Sequence, residues 1–111
     1  MSSNARYSVV MLIDDNELDN FINKKLLENE KFADSVVVQQ SAQGAIEELK
    51  KLESTPDKLP KIIFLDIMMP HMDGFGFLDE LGKFGENVKR NCKVIMLSTS
   101  NTLNVKLAIM L

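Results

Sequence analysis

Lys61-Ile62-Ile63-Phe64-Leu65-Asp66-Ile67-Met68-Met69-Pro70-His71-Met72-Asp73-Gly74 is an apolar run that stops on a carboxylate. The four large apolar residues Ile62 to Leu65, bounded by Pro60 and Asp66, read as a strand buried on both faces, as in a parallel sheet covered by helices. Asp66 then stands at the strand's carboxyl end. In an open α/β sheet that rim frames a crevice between the loops leaving the strand tips, and ligands bind there. Pro70 disfavours helix in the residues before it, and Asp73-Gly74 supplies turn chemistry, so the loop after Asp66 is short and stiff.

The same logic extends towards the N-terminus. Ser8-Val9-Val10-Met11-Leu12-Ile13 is a second continuous apolar run, and it too ends on acid, Asp14-Asp15-Asn16. Glu17 to Lys31 carries Leu18, Phe21, Ile22 and Leu26 at helical spacing, with Asn16 or Asp15 placed to cap its start. Ser35-Val36-Val37-Val38-Gln39 is short and β-branched and reads as the second strand. Ser41 then caps a helix whose buried stripe is Ala42, Ala45, Ile46, Leu49 and Leu52. Glu53 to Leu59 is the loop that leads back to the Asp66 strand.

Towards the C-terminus, Phe75, Leu78, Leu81 and Phe84 make a third helix, interrupted by Gly82 and closed near Gly85. Lys93-Val94-Ile95-Met96-Leu97 is a fourth buried strand, ending on the hydroxyl run Ser98-Thr99-Ser100 before Asn101. From Thr102 the pattern is helical again through Leu111. Strict alternation of strand and helix predicts a doubly wound parallel α/β sheet with helices on both faces and right-handed crossovers. There are no internal repeats and no linker.

The 111 residues suffice for one core and not for two. Apolar residues at 45% and charged residues at 26% are ordinary for a globular protein, and no apolar run reaches membrane-spanning length. Residues 1–7 are polar, neither signal peptide nor anchor, and read as a flexible tail before a domain covering 8–111. A net charge of -3 argues against phosphate-backbone binding as the main activity. The single Cys92 cannot form an internal disulfide and suits a reducing cytosol, so the expected location is cytoplasmic.

A strand order of 2-1-3-4 brings Asp14, Asp15 and Asp66 to one rim, with Ser98 at the tip of the next strand. Three carboxylates repel, and the cluster is tolerable when protons or a cation offset the charge. Hard oxygen ligands with room for water select magnesium. A cation, a carboxylate nucleophile and a hydroxyl donor are the parts required for phosphoryl transfer onto a side chain.

These residues carry a family resemblance: the chain resembles the receiver domain of bacterial two-component response regulators. The matching pieces are the strand ending in Asp14-Asp15, the strand ending in Asp66, the segment Met69-Pro70-His71-Met72-Asp73-Gly74 and Ser98 closing the fourth strand. The resemblance implies a flavodoxin-like three-layer α/β/α fold. It also implies Asp66 as phosphoacceptor for a sensor histidine kinase or histidine phosphotransfer protein, and Mg2+ held by Asp15, Asp66 and the backbone carbonyl of Met68, with Asp14 acting through water. Ser98 takes the place of the hydroxyl that follows the phosphoryl group, and Thr99, Ser100 and Asn101 become the switch loop. The family pattern continues with a fifth strand ending in Lys and a fifth helix, for which no residue here can be assigned. The expectation is therefore a receiver incomplete at its C-terminus, with Val94 to Leu97 as an exposed edge through which dimers can form.

Plainer readings stand beside this one. Either Asp14 or Asp15 alone is most simply a helix cap. His71 has no second His or Cys to complete a metal site and reads as solvent-facing, and Cys92 reads as a passive residue at a strand entrance. Two other functional classes fit the same fold: an interaction module that is never phosphorylated, and a hydrolase of the haloacid-dehalogenase type. The latter requires a second Asp two residues after its nucleophile at the end of strand one, a spacing that Asp14-Asp15-Asn16 lacks.

Overall fold

Four parallel strands in one sheet form the middle layer of the computed structural model, which describes residues 6–66 and 74–97. In chain order the elements are β1 (Tyr7–Ile13), α1 (Glu17–Asn29), β2 (Ala33–Gln39), α2 (Ala42–Leu52), a 3-10 turn (Pro56–Lys58), β3 (Ile62–Asp66), α3 (Gly74–Leu81), α4 (Glu86–Asn91) and β4 (Lys93–Leu97). The strand order is β2-β1-β3-β4, the switch-point order expected from the sequence. Pairing of β1 with β3 runs from Val10 opposite Ile62 to Ile13 opposite Leu65. Asp14 and Asp66 each follow the last pair, so they lie level at the ends of adjacent strands.

The continuous apolar runs become strands because both faces of the sheet are covered. Met11, Ile13, Ile63 and Leu65 face a core completed by Ile46 of α2, Phe77 of α3 and Val88 of α4. Val10, Leu12, Ile62 and Phe64 face the other side, against Leu27 of α1 and Phe32. Each fully buried side chain of this size contributes about 1.5–3 kcal/mol relative to exposure. The two central strands are thereby packed from both faces.

Helix α2 follows its predicted stripe: Ala42, Ala45, Ile46 and Leu49 are buried, Leu52 is half-buried, and the Ser41 hydroxyl accepts the Gly44 N–H at 3.0 Å. Helix α1 does not. Three of the four residues that give it its apolar period are exposed, Leu18 at 66%, Phe21 at 61% and Ile22 at 37%; the fourth, Leu26, is half-buried against the core, while Asn20, Asn23 and Leu27 are buried. Both polar atoms of Asn23 and Oδ1 of Asn20 are buried without a hydrogen-bond partner. The helix is present where the period places it, but rotated from the face the period implies.

The predicted third helix is also corrected. Helix α3 stops at Leu81, residues 82–85 turn the chain, and a separate helix α4 of six residues follows. Phe84 is buried in the turn rather than continuing the helix. Only Val88 of α4 enters the core among its described side chains, too little apolar content to show a period. Its start has no side-chain cap of its own; instead Glu53 reaches across, and its Oε2 accepts the Gly85 N–H at 2.9 Å. The helix predicted from Thr102 and the N-terminal residues 1–5 lie outside the described residues.

Helix α1 ends in a paired-carbonyl closure. The Lys31 N–H donates to the Glu28 carbonyl at 3.1 Å and the Phe32 N–H to the Leu27 carbonyl at 3.0 Å, a geometry that needs a left-handed residue between them. Lys31 occupies that position with φ of 55°. A side chain in this region costs about 1–2 kcal/mol, which glycine avoids. Lys31→Gly is therefore expected to raise stability by about 1 kcal/mol in denaturant titration. An equal or lower unfolding midpoint would show that the unfolded-chain entropy of glycine outweighs the relief.

Candidate functional site

The end of β1 is fixed by hydrogen bonds from three directions. The Asp14 N–H donates to the Gln39 carbonyl at the end of β2, 3.1 Å away. Oδ1 of Asp14 accepts the Asn16 N–H at 2.9 Å, and its backbone carbonyl accepts Nδ2 of Asn20 at 2.7 Å. Asn16 is the helix cap: its extended backbone turns the chain, and its Oδ1 accepts the Asp19 N–H at 2.9 Å. Capping is thus done by Asn16 and not by Asp15, whose side chain is exposed and accepts no hydrogen bond from the described residues.

Asp66 ends β3, is 1% exposed, and pairs in register with Leu97 of β4. Asp14, also 1% exposed, lies beside it. One carboxylate oxygen each of Asp14, Asp15 and Asp66 falls within 4.8 Å of the others. At an effective dielectric of about 20, two unit charges roughly 5 Å apart repel by about 3 kcal/mol. A hard divalent cation fits this donor set, which is all oxygen and open on the Asp15 side. The sheet supplies two buried carboxylates and the loop after β1 supplies the exposed third.

Residues 10–110 match the family described as the response regulator receiver domain. The chain belongs to that family. Among solved structures, a two-component response regulator from Cytophaga hutchinsonii superposes with a TM-score of 0.74 at 22% identity, covering 93% of this chain and 96% of that one. The Mn(2+)-bound form of response regulator Rcp1 superposes with a TM-score of 0.62 at 19% identity, covering 92% of this chain and 75% of that one. At these identities the two structures establish the shared fold. A protein-glutamate methylesterase/protein-glutamine glutaminase from Burkholderia thailandensis is 35% identical over 100 residues, covering 88% of this chain. The chain spans only 25% of that relative's length.

Within this receiver domain, the structure brings together the three acids predicted from sequence. Met68, His71, Ser98, Thr99, Ser100 and Asn101 lie outside the described residues. Cys92 is buried at the entrance of β4, where desolvation pushes its thiol up to about 11 against the opposing charge of Lys61. It plays no part in the acidic cluster. Asn20 is the residue that sequence reasoning passed over, since a polar side chain inside a helical stretch gives no signal until its partner carbonyl is seen.

Proposed function

We propose that the domain takes a phosphoryl group from a sensor histidine kinase or histidine phosphotransfer protein onto Asp66 and signals by a change of conformation. The observation that carries this reading is the convergence of Asp14, Asp15 and Asp66 within 4.8 Å at the ends of adjacent parallel strands. A carboxylate oxygen of Asp66 attacks phosphorus in line, the phosphorus to nitrogen bond of the donor phosphohistidine breaks, and the departing imidazole keeps the electron pair and takes up a proton. Water attacking the same phosphorus reverses the modification, so the domain catalyses both gain and loss of its own phosphoryl group.

Magnesium would be held by Asp15, Asp66 and the Met68 backbone carbonyl, with Asp14 acting through water, and when bound it offsets charge on the transferring group. The Mn(2+)-bound relative supports a divalent cation as the ligand class. Asp66→Asn keeps the shape of the side chain but removes the nucleophile. Intact-mass measurement after incubation with acetyl phosphate and magnesium is expected to show one added phosphoryl group on the wild-type chain and none on this variant. Equal labelling of the two would remove Asp66 from its role, no adduct on either would favour a never-phosphorylated module, and steady turnover would favour a hydrolase.

The two neighbouring acids differ in their proposed contact with the cation. Asp15→Ala is expected to weaken magnesium binding more than Asp14→Ala, where loss of an outer contact costs about 10- to 100-fold. Calorimetric titrations giving both variants the same affinity would contradict the assignment.

A phosphoryl group on Asp66 brings about -1.5 to -2 charge units and three acceptor oxygens. Ser98 follows Leu97, the register partner of Asp66, and is the hydroxyl proposed to follow that group, drawing Thr99, Ser100 and Asn101 with it as the switch loop. The setting is a cytoplasmic one. No described helix is long and apolar enough to cross a membrane, and the β4 edge is the proposed dimer contact. Amide exchange with and without beryllium fluoride and magnesium tests the switch. Protection is expected to change from Ser98 to Leu103, and a change confined to the surroundings of Asp66 would separate the loop from the site.

A further inference from the structure

We infer that Asn20 is a positioning residue for the cation site, acting through the peptide that joins Asp14 to Asp15; the inference rests on the reading of the acidic cluster given above. Asn20 lies in the first turns of α1, is 3% exposed, and donates Nδ2 to the Asp14 carbonyl at 2.7 Å. A carbonyl only accepts, so the amide nitrogen must face it, and this orientation leaves Oδ1 of Asn20 buried and without a partner.

The geometry gives that one bond an unusual share of the site. Asp14 lies beyond the last registered pairs of β1, Ile13 with Gln39 on one side and Ile13 with Leu65 on the other. Its N–H still reaches β2, but its carbonyl is claimed by the Asn20 side chain. Rotation of the Asp14 to Asp15 peptide carries the Asp15 side chain with it. Asp15 is exposed and its carboxylate accepts no hydrogen bond from the described residues, so among them its place within 4.8 Å of Asp14 and Asp66 is set by the backbone. That backbone is held on one side by the Asn16 N–H to Oδ1 of Asp14 and on the other by Asn20. Asn16 also starts the helix, whereas the Asn20 side chain makes this one hydrogen bond. Outer partners that orient a ligand in this way typically account for 10- to 100-fold in metal affinity.

Asn23 provides the internal control. It lies one turn further along α1, is 0% exposed, and neither of its polar atoms has a partner among the described residues. A general effect of removing a buried amide from this helix would appear in both Asn20→Leu and Asn23→Leu; a positioning effect appears only in the first. The full chain is titrated with Mg2+ by calorimetry and with Mn2+ by electron paramagnetic resonance, and urea midpoints are measured without metal. Asn20→Leu is expected to weaken both cations by about 10-fold or more, and to raise the magnesium concentration needed for half-maximal labelling by acetyl phosphate more than it lowers the rate at saturating magnesium. Asn23→Leu should leave affinity within twofold of wild type. In the metal-free protein the Asp15 and Asn16 amides should exchange faster in Asn20→Leu and unchanged in Asn23→Leu. Wild-type affinity in Asn20→Leu, or equal losses in the two variants, overturns the positioning role while leaving the acidic site standing. Absence of cation binding by the wild-type chain overturns the reading of the cluster and this inference with it.

Discussion

Everything at the site depends on the register of β1 against β3. With Ile13 opposite Leu65, the next residue of each strand is an aspartate, and neither can retreat. Val10 to Ile13 and Ile63 to Leu65 are all 0% exposed and packed from both faces. Sliding either strand by one residue would exchange its side chains between the two cores, a cost spread over the four large apolar residues Val10 to Ile13 or Ile62 to Leu65. Against that, a repulsion of roughly 3 kcal/mol per carboxylate pair is too small to move the backbone. The sheet holds charges together that would separate in a looser scaffold.

The junction between β1 and α1 follows from the same confinement. Packing a helix start against the end of a buried strand leaves backbone groups that neither ladder nor helix can satisfy. Asn16 takes one, capping the Asp19 N–H, and Asn20 takes another, the Asp14 carbonyl. Asn20 and Asn23 of α1 face inward, and Leu18, Phe21 and Ile22 are exposed. An inward carboxamide with an unpartnered oxygen costs on the order of 1–3 kcal/mol, which the bond to the Asp14 carbonyl offsets in part.

The strands were legible because continuous apolar or β-branched runs have few alternatives in a chain of this length; alternation with helices implied a parallel sheet, and the order 2-1-3-4 came from the switch-point topology and not from alternation alone. The acids were legible because each closes such a run. What the sequence concealed were features that depend on a partner rather than on a period. Phe21 and Ile22 gave α1 its helical spacing but do not face the core, because the spacing of apolar residues says nothing about which face a carbonyl such as that of Asp14 will claim. Helix α4 was invisible for a related reason: its start is tied to Glu53, thirty-two residues earlier in the chain, and no local pattern of residues 86–91 reports that contact. Choosing Asn16 over Asp15 as the cap likewise required the Asp19 distance.

The two ends of the sheet therefore divide the labour between stability and chemistry. Phe77, Leu81, Phe84 and Val88 close the core around the turn from α3 to α4, where the Glu53 carboxylate accepts the Gly85 N–H. At the opposite rim the carboxylates raise the energy of the metal-free fold. Marginal stability of about 5–15 kcal/mol for a domain leaves room for such a cluster, but not for one that also lacks a firm backbone. A cation that binds the folded cluster and not the unfolded chain adds RT ln(1 + [L]/Kd) to stability. The packing of β1 and β3 from both faces holds Asp14 and Asp66 side by side at the strand ends, so a bound charge and not a shift of the strands is what can relieve their repulsion.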